Sequence, residues 1–442
     1  MNSTKVAIVG LGTVGSGVAE ILLNHADRVA RHAGSQVDLA HVVVRDKSKP
    51  LRAEVPASIV TESLEDVIAD TDVKVVAQLI GGIEPARSIM LKLLEGGKDV
   101  VTANKALLAE HGAELFSKAR EVGRSIAFEA SVAGGIPIIA NISQCLSANQ
   151  ITSLRGILNG TSNFIVSQME ELGKDYAEAL KEAQDLGYAE ADPAMDVDGS
   201  DAAQKLAILA HLAFGADVDW NEIPREGIAS LEIVDMQCAA ELGFRIKLLA
   251  VASMSNEQLE LHVSPTLVKR GTPLAEVRAA FNAVSVEGDA VGPVFYQGQG
   301  AGQMPTASAV AADLIDTVVG RASITFKATE LWSDGKPRIQ LGDPKQSRSR
   351  YYLRVIVRDR PGVLAELASV LGKHDVSIAS MIQKAAEGSQ QGPKPSSDGG
   401  STPVVSLIIM THEALAGSMA KAIGEIDELD AVTGPSVRMR VM

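Results

Sequence analysis

An α/β chain that opens with a parallel, doubly wound sheet is the fold class this sequence predicts, and three observations predict it. Val6-Ala7-Ile8-Val9 reads as a buried strand and passes directly into Gly10-Leu11-Gly12-Thr13-Val14-Gly15, then into a helical pattern from Ser16 to Leu23. Strand-like runs then alternate with helical segments as far as Glu129, as expected of strands laid parallel through helical crossovers. Beyond that point strands and helices mix in α+β fashion, and the C-terminal stretch runs strand, helix, strand again.

Composition sets the outer bounds. The chain has 442 residues, room for two or three domains with real cores. A hydrophobic share of 46% with 22% charged residues fits a soluble globular protein. A net charge of −14 with no basic run argues against nucleic acid as a partner. No apolar run is long enough to span a bilayer, so no membrane partner is expected. Cys145 and Cys238 lack a metal-type spacing and fit a reducing compartment. With no signal peptide ahead of the first strand, a cytoplasmic location is expected.

The glycines of the first turn allow a tight bend and close approach to a pyrophosphate seated on the helix N-terminus. Gly10, Gly12, Thr13, Val14 and Gly15 thus form the expected dinucleotide site of a Rossmann domain. The second strand, Leu39 to Val44, ends at Arg45-Asp46-Lys47. An acidic residue there holds ribose hydroxyls, whereas an arginine suits a 2′-phosphate. Arg45 with Lys47 favours NADP(H), and Asp46 leaves NAD(H) open. Strands at Val73–Ile80, Asp99–Thr102 and Ser125–Glu129, with helices at Pro85–Glu95 and Leu107–Glu121 between them, complete the sheet. Gly81, Gly82, Asn104 and Lys105 fall just past strand ends, where ligands collect in such sheets, so Lys105 is a candidate cofactor or substrate contact. Glu129 to Pro137 leads out of the sheet, and Gly156 to Phe164 reads as a strand turning into a helix.

The stretch from Ala183 to Lys205 carries the chemistry. A polar helix stops at Gly187, and a loop crowded with carboxylates follows, punctuated by Pro193 and Gly199. A helix N-capped by Ser200 then runs to Phe214. It is apolar nearly all round, which predicts burial, and Asp201, Gln204 and Lys205 form its only polar stripe. On a surface that pair would be worth about 0.3 kcal/mol. Inside the protein an ammonium needs a partner or a task. Desolvation and the helix N-terminus should push the Lys205 pKa down toward a range useful for proton transfer.

This stretch resembles, position for position, the signature of the homoserine dehydrogenase family, through Ala183 to Gly187, Asp192-Pro193, Asp196-Val197, Gly199, Asp201 and Lys205. Thr102 to Leu107, Asn159 to Asn163 and Gly300 to Thr306 are similar to further blocks of that family. The likeness therefore covers essentially the whole chain, with Gln78 standing where the family usually has a glutamate. Opening directly at its first strand, the chain resembles the monofunctional form without a fused aspartate kinase.

The resemblance implies NAD(P)-dependent interconversion of L-aspartate 4-semialdehyde and L-homoserine, on the way to threonine, methionine and isoleucine. It implies Lys205 as proton donor and acceptor, with Lys105 touching both cofactor and substrate. It implies Glu190, Asp201, Asp196 and Thr161 on the substrate, and Gly12, Thr13, Val14, Arg45, Lys105, Gly187 and Gly302 around the cofactor. A monovalent cation, Na+, is implied on main-chain oxygens of Glu129, Val132, Gly134 and Ile136. Two alternatives stay open: another amino-acid dehydrogenase on the same scaffold, and a sensor that has lost catalysis. The long carboxylate-rich motif speaks against the first, and intact Lys205, Asp201, Glu190 and Lys105 against the second.

The implied layout is a Rossmann domain at 1–130 with a return helix near 303–322, a substrate and dimerisation domain at 131–302, a linker at 323–350 and a module at 351–442. Lys336-Pro337-Arg338 and the run from Lys345 to Arg350 give the linker its basic, polar character. The module reads as strand Tyr352–Val357, a helix opened by Asp359-Arg360-Pro361-Gly362, strands Val376–Gln383 and Val404–Met410, a helix from Glu413 and strand Ser436–Val441. This order resembles a βαββαβ ACT domain, an amino-acid sensor. Glu387 to Thr402, rich in Gly, Ser and Pro, predicts a mobile loop within it. The resemblance implies L-threonine as feedback effector and side-by-side pairing into a homodimer or homotetramer; a module kept only for assembly is the alternative.

Overall fold

The computed structural model describes residues 3–333, 339–385 and 403–442. Lys336-Pro337-Arg338 and the expected loop from Glu387 to Thr402 lie outside the described residues.

The first sheet is parallel throughout, with strands β1 (Ser3–Val9), β2 (Gln36–Val43), β3 (Val60–Thr61), β4 (Val73–Gln78), β5 (Asp99–Thr102) and β6 (Ile126–Ala127). Their order is β3-β2-β1-β4-β5-β6. The order reverses between β1 and β4, the crevice where doubly wound sheets bind ligands. Val6 to Val9, Val75 to Ala77, Val100 and Val101 are buried, because helices cover both faces of a parallel sheet. Sequence patterning misplaced several ends. β2 begins at Gln36 rather than Leu39, and the first helix runs Thr13–Asn24, so Gly12 is its N-cap and Gly15 lies inside it. Gly10 sits at φ 102°, and a Cβ at Gly15 would collide with the Gly10 carbonyl. Helix Gln303–Val318 packs back against that first helix, where a Cβ on Gly17 would come within 2.8 Å of the Ala307 Cβ.

A second sheet is built from β7 (Ile151–Ile157), β8 (Phe244–Ser255), β9 (Gln258–Lys269), β10 (Phe281–Gly288) and β11 (Gly292–Gln299). It does not stop at the end of this unit. Strands β12 (Gln340–Leu341), β13 (Arg348–Arg358), β14 (Ile378–Ala385), β15 (Val404–Thr411), β16 (Ala414–Leu415) and β17 (Val437–Val441) join it. The path reads β11-β10-β7-β8-β9-β17-β13-β15-β14, with β17 parallel to β9 through Arg440 opposite Thr266 and Val441 opposite Leu267. The C-terminal unit has βαββαβ order, with helices Val363–Lys373 and Ala416–Asp427. Pro361 lies ahead of the first of these, which Gly362 begins in a left-handed conformation at φ 94°.

The run from Lys345 to Arg350, expected as linker, is ordered structure: a short turn at Pro344–Gln346 and then the start of β13. Beside it the two units are tied by a buried ion pair. Arg354 on β13 is 1% exposed, and Asp235 on helix Ile233–Glu241 is 0% exposed. Arg354 Nε donates to Asp235 Oδ1 at 2.8 Å and Nη2 to Oδ2 at 3.1 Å, while the Tyr352 hydroxyl donates to Oδ1 at 2.9 Å. Removing one partner of such a pair costs about 3–5 kcal/mol. Among the described residues, no helix is long and apolar enough to cross a membrane.

Candidate active site

Helix Ser200–Phe214 is buried along nearly its whole length, which its apolar composition dictates. The expected cap is corrected: Gly199, at φ 89°, caps the helix and Ser200 is its first residue, with its N–H donating to Asp198 Oδ1 at 2.7 Å. Only glycine enters that left-handed turn at no steric cost. In its first turn, Asp201 bridges two lysines. Lys205 Nζ donates to its Oδ2 at 2.7 Å, and Lys105 Nζ lies 2.9 Å from its Oδ1. Lys205 also donates to the Leu158 carbonyl at 2.7 Å, which leaves one of its three N–H donors for a ligand among the described residues.

A turn and a strand hold this cluster in place. Asn159 N-caps helix Gly160–Leu172 by accepting from Ser162 N, and its amide donates to Asp196 Oδ1 at 2.7 Å and Asp201 Oδ2 at 2.9 Å. Asn282 donates to the Leu158 carbonyl at 3.0 Å. Thr161, in the first turn of the same helix, spends its hydroxyl on the Tyr188 carbonyl at 2.7 Å. Glu190 is exposed at the edge of the cluster, close enough for its charge to act on Lys105. Gly187 ends helix Tyr176–Asp185 at φ 76°, as expected. Sequence reasoning read Gly156 to Phe164 as a strand turning into a helix, which it is, and missed the Asn159 side chain. Asn282, on a strand far along the chain, gave no local signal.

The electrostatics separate the two lysines. Burial pushes the Lys205 ammonium below its usual range, and the neighbouring Lys105 charge adds to this against the pull of Asp201. Lys105 is raised, chiefly by the Asp201 charge. Asp201 feels burial pushing its pKa up, but the two ammoniums outweigh that and hold it well below the usual carboxylate range. Burial raises Asp196, only partly offset by its bond from Asn159.

Lys105 opens helix Lys105–Glu121 at the end of β5, and Asn104 caps it by accepting from Leu107 N at 3.0 Å. The Asn104 amide also donates to the carbonyls of Ile80 and Gly82 at 3.0 and 2.6 Å, joining the ends of β4 and β5. Beneath them Gln78 is fully buried, accepting from the Thr102 hydroxyl at 3.1 Å. At the glycine turn, Gly12 offers no side-chain cap and the first helical turn holds no acid, so its amides suit an anion. Val14 is partly buried in the core beneath the turn, while Thr13 is exposed and accepts from Arg52 Nη1 at 2.9 Å. Arg52, unnoticed in the sequence, stands with the exposed Arg45 as a second cation on this side. Gly302, at φ 121°, is the N-cap of the return helix. These residues fit a dinucleotide.

The loop expected to hold a cation borders a separate apolar cavity of about 510 Å3, lined by Phe116, Phe128, Glu129 and Gly134 among others. Ala133 takes φ 51°, turning the loop sharply. The Ile136 carbonyl accepts from Ile138 N at 2.7 Å and the Glu129 carbonyl from Val132 N at a long 3.5 Å. Among the described residues no hydrogen bond reaches the carbonyls of Val132 or Gly134, which fits main-chain coordination of a monovalent cation. The Glu129 carboxylate accepts from Ile139 and Ala140 N–H at 2.9 and 2.8 Å, and burial pushes its pKa up to about 7.

Comparison with known proteins agrees with this arrangement. Residues 10–129 match the family model described as the homoserine dehydrogenase NAD binding domain, 137–315 that of homoserine dehydrogenase, and 351–417 that of the ACT domain. The chain is 44% identical to homoserine dehydrogenase from Pseudomonas aeruginosa over 449 residues, 100% of this chain and 99% of that one. The crystal structure of a homoserine dehydrogenase from Thiobacillus denitrificans superposes with TM-score 0.89 at 40% identity, covering 100% of this chain and 98% of that one. A hyperthermophilic archaeal homoserine dehydrogenase mutant in complex with NADPH gives TM-score 0.60 at 26% identity, covering 71% of this chain and 97% of that one. With an NAD-binding domain in front and an ACT domain behind, the chain belongs to the homoserine dehydrogenase family, a family of oxidoreductases.

Proposed function

We propose that this chain interconverts L-homoserine and L-aspartate 4-semialdehyde with NADP(H) as preferred cofactor and NAD(H) as a weaker one, with Lys205 as the acid–base group. The observation that carries this reading is the Lys105–Asp201–Lys205 bridge at the mouth of a buried helix. When bound, the nicotinamide donates or accepts the hydride at the carbon bearing oxygen. In the reducing direction Lys205 gives its proton to that oxygen, and in the oxidising direction it takes the proton back. Its lowered pKa suits both transfers. Lys105, partly exposed and raised in pKa, remains an ammonium that steadies the developing oxygen charge and a cofactor oxygen. Glu190, Asp196 and Asp201 supply the carboxylates that a substrate ammonium needs, and Thr161 shapes their loop.

Arg45, helped by Arg52, reads the 2′-phosphate; the NADPH seen with the archaeal relative is in keeping with this. A monovalent cation, Na+, sits on the carbonyls of Glu129, Val132, Gly134 and Ile136 and braces the passage between the two units. The ACT module takes L-threonine as feedback effector, and its sheet pairs with a second copy in a homodimer or homotetramer in the cytoplasm. Following NADP+ reduction with L-homoserine tests the activity directly. No turnover with homoserine, alongside turnover of another amino acid, would transfer the reading to a different dehydrogenase. Arg45→Ala should shrink the NADPH preference over NADH, and an unchanged ratio removes Arg45 as its reader. An inhibition curve flat to saturating threonine removes the effector.

A further inference from the structure

A cavity of about 720 Å3 lies where β9, β17 and the start of helix Ala416–Asp427 meet, and none of its lining residues belongs to the lysine cluster or the glycine turn. Arg225, Lys345, Lys421, Arg438 and Arg440 line it against a single acid, Glu226, which already pairs with Arg438. On a chain of net charge −14 such a gathering of cations is not a by-product of composition. Lys345 and Lys421 make no ion pair among the described residues, and Arg440 donates to the Ser347 hydroxyl at 3.2 Å. Burial, then the charge of Arg440, holds the Arg438 guanidinium below its ordinary range and brings His262 down to about 3. Among the lining residues Glu226 is the one carboxylate set against these cations.

Two further observations point into the same space. Ser264 is 5% exposed and lines the cavity, yet its hydroxyl has no hydrogen-bond partner, and the same holds for His262 Nδ1. Buried polar atoms of this kind want a ligand. The helix has twelve residues, its Leu415 N-cap gives no side-chain bond, and its first turn holds no acid. Its residues Gly417 and Ser418 line the cavity, so the positive end of the helix dipole adds to the cations.

We propose that this cavity binds a phosphate-bearing small molecule, with the phosphate at the helix start among Lys345, Lys421 and Arg440 and accepting from Ser264. A dianion with three equivalent oxygens matches a surplus of positive charge that a single carboxylate leaves largely uncompensated. The volume exceeds that of a bare phosphate and leaves room for an organic portion. Two of the cavity's lining residues also touch the cap of the lysine helix. A Cβ on its cap, Gly199, would lie 3.1 Å from Val263 Cγ1 and 3.8 Å from Arg225 Cβ, and both of those residues line the cavity.

The test uses the full chain saturated with NADP+, so that the glycine turn is filled, and inorganic pyrophosphate as calorimetric probe with succinate as dicarboxylate control. One pyrophosphate per chain is expected. Lys345→Ala with Lys421→Ala, two exposed positions that folding tolerates, should weaken it about tenfold or more, and Ser264→Ala about threefold, with NADP+ affinity unchanged. Absence of pyrophosphate binding to the NADP+ complex, or equal binding by the double variant, overturns the site. Succinate binding as tightly as pyrophosphate overturns the phosphate assignment.

Discussion

Lys205 and Lys247 are both buried lysines, 9% and 1% exposed, and both are pushed down from the ordinary lysine range mainly by burial, Lys247 to about 8. One helix, Gly160–Leu172, serves both. Its N-cap Asn159 bonds the carboxylate that pairs with Lys205, and Asn163 Oδ1 accepts from Lys247 at 3.1 Å. Their partners differ. Lys205 has Asp201, and through it Lys105, whereas among the described residues Lys247 bonds only neutral oxygens, Asn163 Oδ1 and the Val277 carbonyl at 2.5 Å. A depressed lysine pKa therefore marks desolvation, and desolvation alone does not mark catalysis. What singles out Lys205 is a counter-charge shared with a partly exposed second cation, which opens the cluster to a ligand.

Breaking the contrast at Lys205 should give the largest effect. Lys205→Ala is expected to lower turnover about a hundredfold or more while leaving NADPH affinity intact, measured by steady-state rates and cofactor titration. Near-normal turnover would move the acid–base role to Lys105. A smaller effect comes from the shared carboxylate. Asp201→Asn removes the charge that raises Lys205, so the lysine pKa falls further. Fewer enzyme molecules then hold the proton at a given pH, and the high-pH limb of aldehyde reduction should move down by about one unit or more. Identical pH–rate profiles for the variant and wild type would show that Asp201 does not tune Lys205.

The contrast also shows what was legible in sequence. The Rossmann order, the glycine turn and the Asp201–Lys205 spacing were readable because each is local: a strand, a turn and one face of a helix. Ser200 was misread as a cap because cap preference favours serine, while the chain reached the helix through a left-handed Gly199 that no hydroxyl could replace. Asn282, Arg52 and Lys247 were invisible because their partners lie far off in sequence, at Leu158, Thr13 and Asn163. The basic run from Lys345 to Arg350 read as a linker by composition. Pairing of β13 with β17 and β15, which turns it into structure, depends on strands that follow much later.

The mildest change should be Lys247→Met, where a flexible apolar chain of similar length replaces a cation that has no ion pair among the described residues. Turnover is expected to stay within about twofold, since its amide and carbonyl partners offer no group to take up or return its proton. Stability is where it should register. The folded pKa near 8 lies below the unfolded value of 10.5, so at neutral pH the folded state carries the cost of holding a charge in a dry site. Between those two values the unfolded chain binds the extra proton, so wild-type stability rises with pH across that window, by up to about 3 kcal/mol. The methionine variant lacks this slope. Denaturant unfolding at pH 7.5 and pH 10 should therefore show the wild type gaining on the variant as pH rises. A difference that stays constant would mean that Lys247 remains charged in the folded protein, and the likeness between the two buried lysines would then end at their burial.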